Sequence, residues 1–248
     1  PEGYLTPVNG TPIITSDSTG ATVLYYTPYQ GTWALVHNGS LIIPYQFSQM
    51  PLTLTSSQAA NNIYDIFLAY NGGTPVIGTG PSWSAGTGGN ITAGSCARGT
   101  GAGGTTLART QGVWTNNVQI SLIYNTGSGN NTITVAVNQG IYLGSIYIDA
   151  TAGQVTCHRS WGQNRKFGIS NASNRTPITL QCGDSAASWV YNTISVRASD
   201  NAPATWSSAA YNAGSGTSCN GLTVLNGLPE EAITLGFTQF IPANTSSP

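Results

Sequence analysis

Short runs of β-branched and aromatic residues, each closed by a turn dipeptide, follow one another along the chain and leave no stretch with the long 3.6-residue periodicity of a packed helix. They fall at residues 21–27, 32–37, 40–45, 64–70, 118–124, 132–138, 141–149, 176–182, 188–198 and 222–225. Between them lie Asn9-Gly10, Asn38-Gly39, Asn71-Gly72, Asn220-Gly221 and Asn226-Gly227, residue pairs that tolerate the positive φ of tight reversals. The pattern predicts an all-β chain. Its clearest expected hairpin joins 132–137 to 141–148 through Asn138-Gln139-Gly140, with Gly140 in the left-handed position. Residues 56–62 are the one stretch expected to form a helical turn, capped by Ser56.

Composition narrows the class further. A chain of 248 residues with 31 Gly and 13 Pro is too rich in helix breakers for a bundle, and 40% hydrophobic content is too apolar for disorder. Only 6% of residues are charged and the net charge is −1, which excludes the broad cationic field that nucleic acid or an anionic membrane requires. Ser, Thr, Asn and Gln must keep the surface wet, as expected of a protein that works outside a cell. No continuous apolar stretch approaches the roughly 20 residues of a spanning helix, and Pro1-Glu2-Gly3 opens the chain without a signal-peptide core. The missing initiator Met is expected of a processed chain or a fragment. Cys96, Cys157, Cys182 and Cys219 are even in number and lack a CxxC pair, so two disulfides and four buried thiols are both compatible with the spacing.

Periodicity disappears between residues 72 and 112, where Gly, Ser, Thr and Ala dominate, yet Trp83, Cys96, Leu107 and Trp114 interrupt the stretch. A flexible tether needs no tryptophan. The expected organisation is an N-terminal β subdomain over 1–80 with a weak boundary, a Gly-rich ordered excursion over 81–115, and a jelly-roll-like β-sandwich over 116–248.

Motifs for chemistry are weak. Residues 99–104 spell GxGxxG, but no strand precedes them and no helix follows to aim amides at a phosphate. Of eight carboxylates, adjacent Glu230 and Glu231 would face opposite ways in an extended chain, and Asp65 and Asp149 lie in or at the end of strands, where pairing with an arginine is expected. No G-x-S-x-G is present, and Cys157 beside His158 cannot easily form a hydrogen-bonded pair on a strand. No metal or cofactor is expected. The aromatics mostly fill cores, but Trp206 and Tyr211, in a Ser/Ala/Asn/Gly-rich segment, are the candidates for stacking on a sugar ring.

Four of the seven positive charges, Arg159, Arg165, Lys166 and Arg175, fall within one segment. Arginines there can donate several fixed-geometry hydrogen bonds and so hold irregular loops or neighbouring subunits to a sheet, with Asp149, Asp184, Glu230 and Glu231 as candidate partners. The alternative reading of the cluster is an anion or acidic-glycan site.

The same segment carries a resemblance. Ile141-Tyr142-Leu143-Gly144-Ser145-Ile146, Gly153-Gln154-Val155-Thr156-Cys157-His158-Arg159, Arg165-Lys166-Phe167-Gly168 and Asn171-Ala172-Ser173-Asn174-Arg175 resemble a bacteriophage and prophage family of tail-fibre or virion-appendage proteins. Residues 22–31, 64–67, 184–192 and 227–231 extend it in collinear order over most of the chain. Ser170 and Ser173 stand where that family's pattern often has aromatics, which puts any aromatic contact at those two positions in doubt. The resemblance implies a non-enzymatic virion protein at the particle surface. It leaves the ligand open; the expected role is adhesion to a bacterial surface polysaccharide, by a homo-oligomer in contact with other virion proteins, with a trimer expected by analogy with fibre-type appendages. The alternatives are a capsid or tail decoration protein with no receptor role, and a polysaccharide depolymerase.

Overall fold

Each turn-bounded run extends because its side chains alternate between two packed surfaces while Gly and Asn supply the reversals. The computed structural model describes residues 1–83, 98, 107–124, 130–160, 165–180, 222–225 and 227–228, and among these there are seventeen strands and no helix. In chain order they are β1 (Gly3–Thr6), β2 (Ser18–Ala21), β3 (Val23–Pro28), β4 (Trp33–His37), β5 (Ile42–Gln46), β6 (Met50–Thr53), β7 (Ile63–Asn71), β8 (Thr74–Ser82) and β9 (Leu107–Thr110). There follow β10 (Val113–Asn116), β11 (Ile120–Tyr124), β12 (Asn131–Val135), β13 (Ile141–Tyr147), β14 (Val155–Cys157), β15 (Arg165–Phe167), β16 (Ile169–Asn171) and β17 (Leu222–Val224). Residues 56–62 form turns in place of the expected helical turn. Thr55, and not Ser56, supplies the hydroxyl that accepts the Ser57 N–H at 3.2 Å.

The large sheet runs β12-β11-β8-β7-β13-β10-β9, and β16 also pairs with β13. A small sheet, β1-β3-β6, and the hairpin β4-β5 share a hydrophobic cluster with one face of the large sheet. The result is an all-β sandwich of jelly-roll-like character. A further sheet, β17-β15-β14-β2, contains one parallel pair, β15 with β17.

Strand β7 shows the layering residue by residue. Tyr64, Ile66 and Leu68 join Leu24, Leu52 and Val36 in the cluster between the layers, while Phe67 and Ala69 point the other way, toward Ile120, Leu122, Val135 and Tyr142. Trp114 of β10 and Ile133 of β12 pack against that second cluster too, so strands from both margins and the middle meet on one face. The sheet must curl around it. Each fully buried Leu, Ile or Phe contributes roughly 1.5–3 kcal/mol of transfer free energy, which makes these two clusters the main favourable term.

Gly144 re-phases β13. The pairing with β7 slips between Tyr142 and Gly144, where φ is 154°, and a Cβ there would lie 2.2 Å from the Ser170 carbonyl oxygen. Strict alternation from Ile141 and Leu143 would have turned residue 145 into the interlayer cluster; after the bulge Ile146 and Ile148 take those places and Ser145 faces the opposite side.

One expected hairpin is corrected. β7 and β8 do form a tight hairpin, with Asn71 opposite Thr74 and positive φ at both Gly72 and Gly73. By contrast β12 pairs, among the described residues, only with β11, and β13 lies across the sheet from it. Asn116, at the end of β10, diverts the connection. Its side-chain amide donates to Ala136 O at 2.8 Å, its Oδ1 accepts the Gly140 N–H at 2.7 Å, and its carbonyl accepts the Asn138 N–H at 2.8 Å. The left-handed residue is accordingly Asn138, at φ 64°, and not Gly140.

The large sheet also takes strands from both sides of the Gly-rich stretch, since β7 and β8 pair with β13 and β11. Residues 176–180, expected to begin a strand, have none among the described residues, although Ile178 and Leu180 pack on the interlayer cluster.

Candidate functional site

The cationic segment is built where β14 and β15 meet. Cys157 lies opposite Phe167, and β2 pairs with the other edge of β14, with Ser18 opposite Cys157. This register places Asp17, the residue before β2, beside Arg159 and Ser160. Asp17 Oδ1 accepts the backbone N–H groups of Arg159 and Ser160 at 2.6 and 2.7 Å, and Oδ2 accepts the Ser160 hydroxyl at 2.7 Å and Arg165 Nη1 at 3.0 Å. Burial works to raise the Asp17 carboxyl, but those amides and the hydroxyl outweigh it and hold the group well below the usual carboxylate range.

Lys166 forms an ion pair with Asp149, which also accepts the Thr156 hydroxyl at 2.6 Å. The Lys166 backbone N–H donates to His158 Nδ1 at 2.9 Å, so that nitrogen must be unprotonated. Burial and then the neighbouring Arg165 charge push the His158 pKa down, in keeping with that acceptor role. Arg159 donates through Nε to Ile14 O at 2.9 Å and lies over the Phe167 ring at 5.8 Å. Arg175 is exposed and donates to Asn171 O at 3.3 Å. The segment's own asparagines fasten β1: Asn171 bonds both the N–H and the carbonyl of Leu5, at 2.7 and 3.2 Å, and Asn174 donates to Pro1 O and Gly3 O.

A second charged group lies inside the fold, under the curl of the large sheet. Asp65, 1% exposed, takes Arg98 Nε on Oδ2 at 2.7 Å, and on Oδ1 the Ser145 hydroxyl at 2.6 Å and Trp83 Nε1 at 3.1 Å. Arg98 also bonds Gly227 O, which accepts the Tyr142 hydroxyl at 2.6 Å, and its guanidinium sits 4.6 Å from the Trp83 ring centre. Burial pushes the Asp65 carboxyl up from its ordinary value, while Arg98, Ser145 and Trp83 pull against it.

Of the residues singled out from sequence, Arg159, Arg165 and Lys166 are thus brought onto or beside one sheet, while Arg175 bonds Asn171 of β16, at the large sheet. Arg165 takes Asp17 as partner, which was not among the four acids expected; Asp149 takes Lys166; and Asp65 takes an arginine. Asp184, Glu230, Glu231, Trp206, Tyr211, Cys96, Cys182 and Cys219 lie outside the described residues. Cys157, the one cysteine among the described residues, is a free, buried thiol whose pKa burial pushes up to about 12. No cluster of metal-ligating side chains occurs among the described residues. Sequence reasoning missed Asp17 and Arg98; the available signal was that each is a lone charge in a polar, uncharged stretch.

Two further surface features complete the geometry. Trp33 is 48% exposed on β4, opposite Gln46 of β5, with Tyr29 also exposed and both backbones tied to Glu2. A cleft of about 400 Å³ opens beside Arg159, lined by Ile13, Ile14, Thr15, Pro177 and Thr179. Comparison with protein-family models, with curated proteins and with solved structures returned no match.

Proposed function

We propose that the chain is a non-enzymatic structural protein of a bacteriophage particle, a tail-fibre-type appendage that adheres to a bacterial surface glycan and assembles as a trimer. The observation that carries this reading is the state of the carboxylates. Glu2, Asp17, Asp65 and Asp149, the four described, each accept hydrogen bonds from the fold's own donors, and Asp17, Asp65 and Asp149 each carry an ion pair. Glycoside cleavage needs two carboxyl groups flanking one bond, and acids already held this way suit a scaffold better. The viral assignment rests on the collinear resemblance through residues 141–175. An exposed Trp33 beside the Gln46 amide supports adhesion, because a sugar offers an apolar ring face and hydroxyls to such a pair.

The test is binding of the fluorescently labelled chain to bacterial cells before and after enzymatic stripping of their surface polysaccharide, with immunogold labelling of particles alongside. Strain-selective binding that stripping removes, and gold on the particle surface, are the expected results. Binding to every surface alike, or to none, would sink the adhesive role; gold on particles without cell binding would leave a decoration protein.

A further inference from the structure

The cleft beside Arg159 combines a fixed cation with polar and apolar walls. Arg159, Arg165 and Lys166 supply three cations, and Asp17 and Asp149 take two of them, Arg165 and Lys166 respectively. Among the described residues Arg159 is left in surplus. Its Nε is used on Ile14 O, and no bond to either of its terminal Nη groups is made among the described residues. The side chain is held in place at three points: by the Asp17 bond to its backbone, by Ile14, and by the Phe167 ring at 5.8 Å. A guanidinium fixed in this way presents a planar pair of donors to the cleft at little further cost in side-chain entropy.

The walls add the rest of a recognition surface. Ile178 and Leu180 turn inward against the interlayer cluster, and the residues alternating with them, Pro177 and Thr179, line the cleft. Thr15 and Thr179 offer hydroxyls, and Ile13 and Pro177 offer apolar area. A volume of about 400 Å³ lies in the range of small-ligand sites, roughly 300–1,000 Å³. One surplus positive charge matches a monoanion, and the neighbouring Asp17 carboxylate disfavours the denser charge of a phosphate.

We propose that this cleft binds a carboxylated sugar, with Arg159 forking onto the carboxylate, the threonines meeting ring hydroxyls and Ile13 and Pro177 meeting the ring face. The proposal rests on the adhesive reading above and names the acidic class of glycan it would take.

Saturation-transfer NMR on the intact chain tests it, with glucuronate, galacturonate and N-acetylneuraminate as probes and glucose, galactose and acetate as controls. At least one acidic sugar is expected to bind about tenfold or more tighter than all three controls, a difference easily resolved. Arg159→Gln should abolish that preference, and so should Thr179→Trp, which fills the cleft from an exposed position and leaves Arg159 and its bonds in place. Thr179→Trp decides the matter should Arg159→Gln fail to fold. Binding of acetate as well as the sugars, equal binding of neutral and acidic sugars, or unchanged binding in Thr179→Trp would each overturn the proposal. Cell adhesion by the unaltered chain with no preference for acidic sugars overturns the cleft alone, whereas absence of binding to both cells and acidic sugars overturns the cleft and the adhesive role together.

Discussion

Replacing Arg98 by Met removes the guanidinium and keeps most of the side chain's length. Asp65 would then stay at 1% exposure with only the Ser145 hydroxyl and Trp83 Nε1 as donors, and Gly227 O would lose one of its three. Breaking a buried pair by removing one partner costs about 3–5 kcal/mol, because the remaining charge is uncompensated. That is a large share of the 5–15 kcal/mol typical of a folded domain.

The pH dependence gives a sharper signature. Asp65 already has its carboxyl raised by burial, and loss of Arg98 raises it further above the unfolded value of about 3.9. The folded state then binds more protons than the unfolded one, so stability falls as pH rises from about 4 through the folded pKa. In urea melts the Arg98→Met deficit should be largest at pH 7 and shrink at pH 4. Adding Asp65→Asn should recover about 1–2 kcal/mol at pH 7 by removing the stranded charge. A deficit below about 1 kcal/mol at pH 7, or one equal at both pH values, would refute this account of the buried pair.

Three other perturbations test separate parts of the fold. Gly227→Ala would put a Cβ 2.7 Å from Ser145 Cβ and Oγ and 2.9 Å from Ser170 Cβ, so a loss of about 1–3 kcal/mol in chemical denaturation is expected. Asp17, with its folded pKa depressed, contributes stability that is present above the unfolded value near 3.8 and lost as pH falls below it. Asp17→Asn should be about 1–2 kcal/mol less stable at pH 7 and lack that acid slope in melts between pH 5 and 2. The Cys157 peptide should resist iodoacetamide at pH 8 in the native chain and label fully in urea, read by peptide mass spectrometry, because a buried thiol with a pKa near 12 is scarcely ionised.

Local chemistry was legible in the sequence, and long-range pairing was not. Asn71-Gly72-Gly73-Thr74 reads correctly as a reversal because both glycines take positive φ whatever surrounds them. Residues 132–148 misled because turn residues permit a hairpin without compelling one, and Asn116, 20 residues before Ala136 and 24 before Gly140, competes for the same backbone groups. The β-branched and aromatic run at 64–70 showed that β7 is a strand. It could not show that both faces are covered, since that depends on a small sheet and a curl contributed by distant segments. The cationic segment announced itself by composition, yet the partner of Arg165 lies 148 residues earlier, and only the β2–β14 register brings Asp17 to it.

The bond from Arg98 to Gly227 spans 129 residues. At ribosomal rates of about 5–20 residues per second, Arg98 and Asp65 exist for on the order of ten seconds before their last acceptor has been made. Once β9–β13 have followed, and until residues 227 and 228 are made, the curled face of the large sheet has neither Leu228 over it nor the Gly227 carbonyl for Tyr142. The nascent chain therefore carries an open apolar hollow and a half-satisfied ion pair until that one glycine and the leucine after it are made, the interval in which this fold has most to lose from a wrong contact.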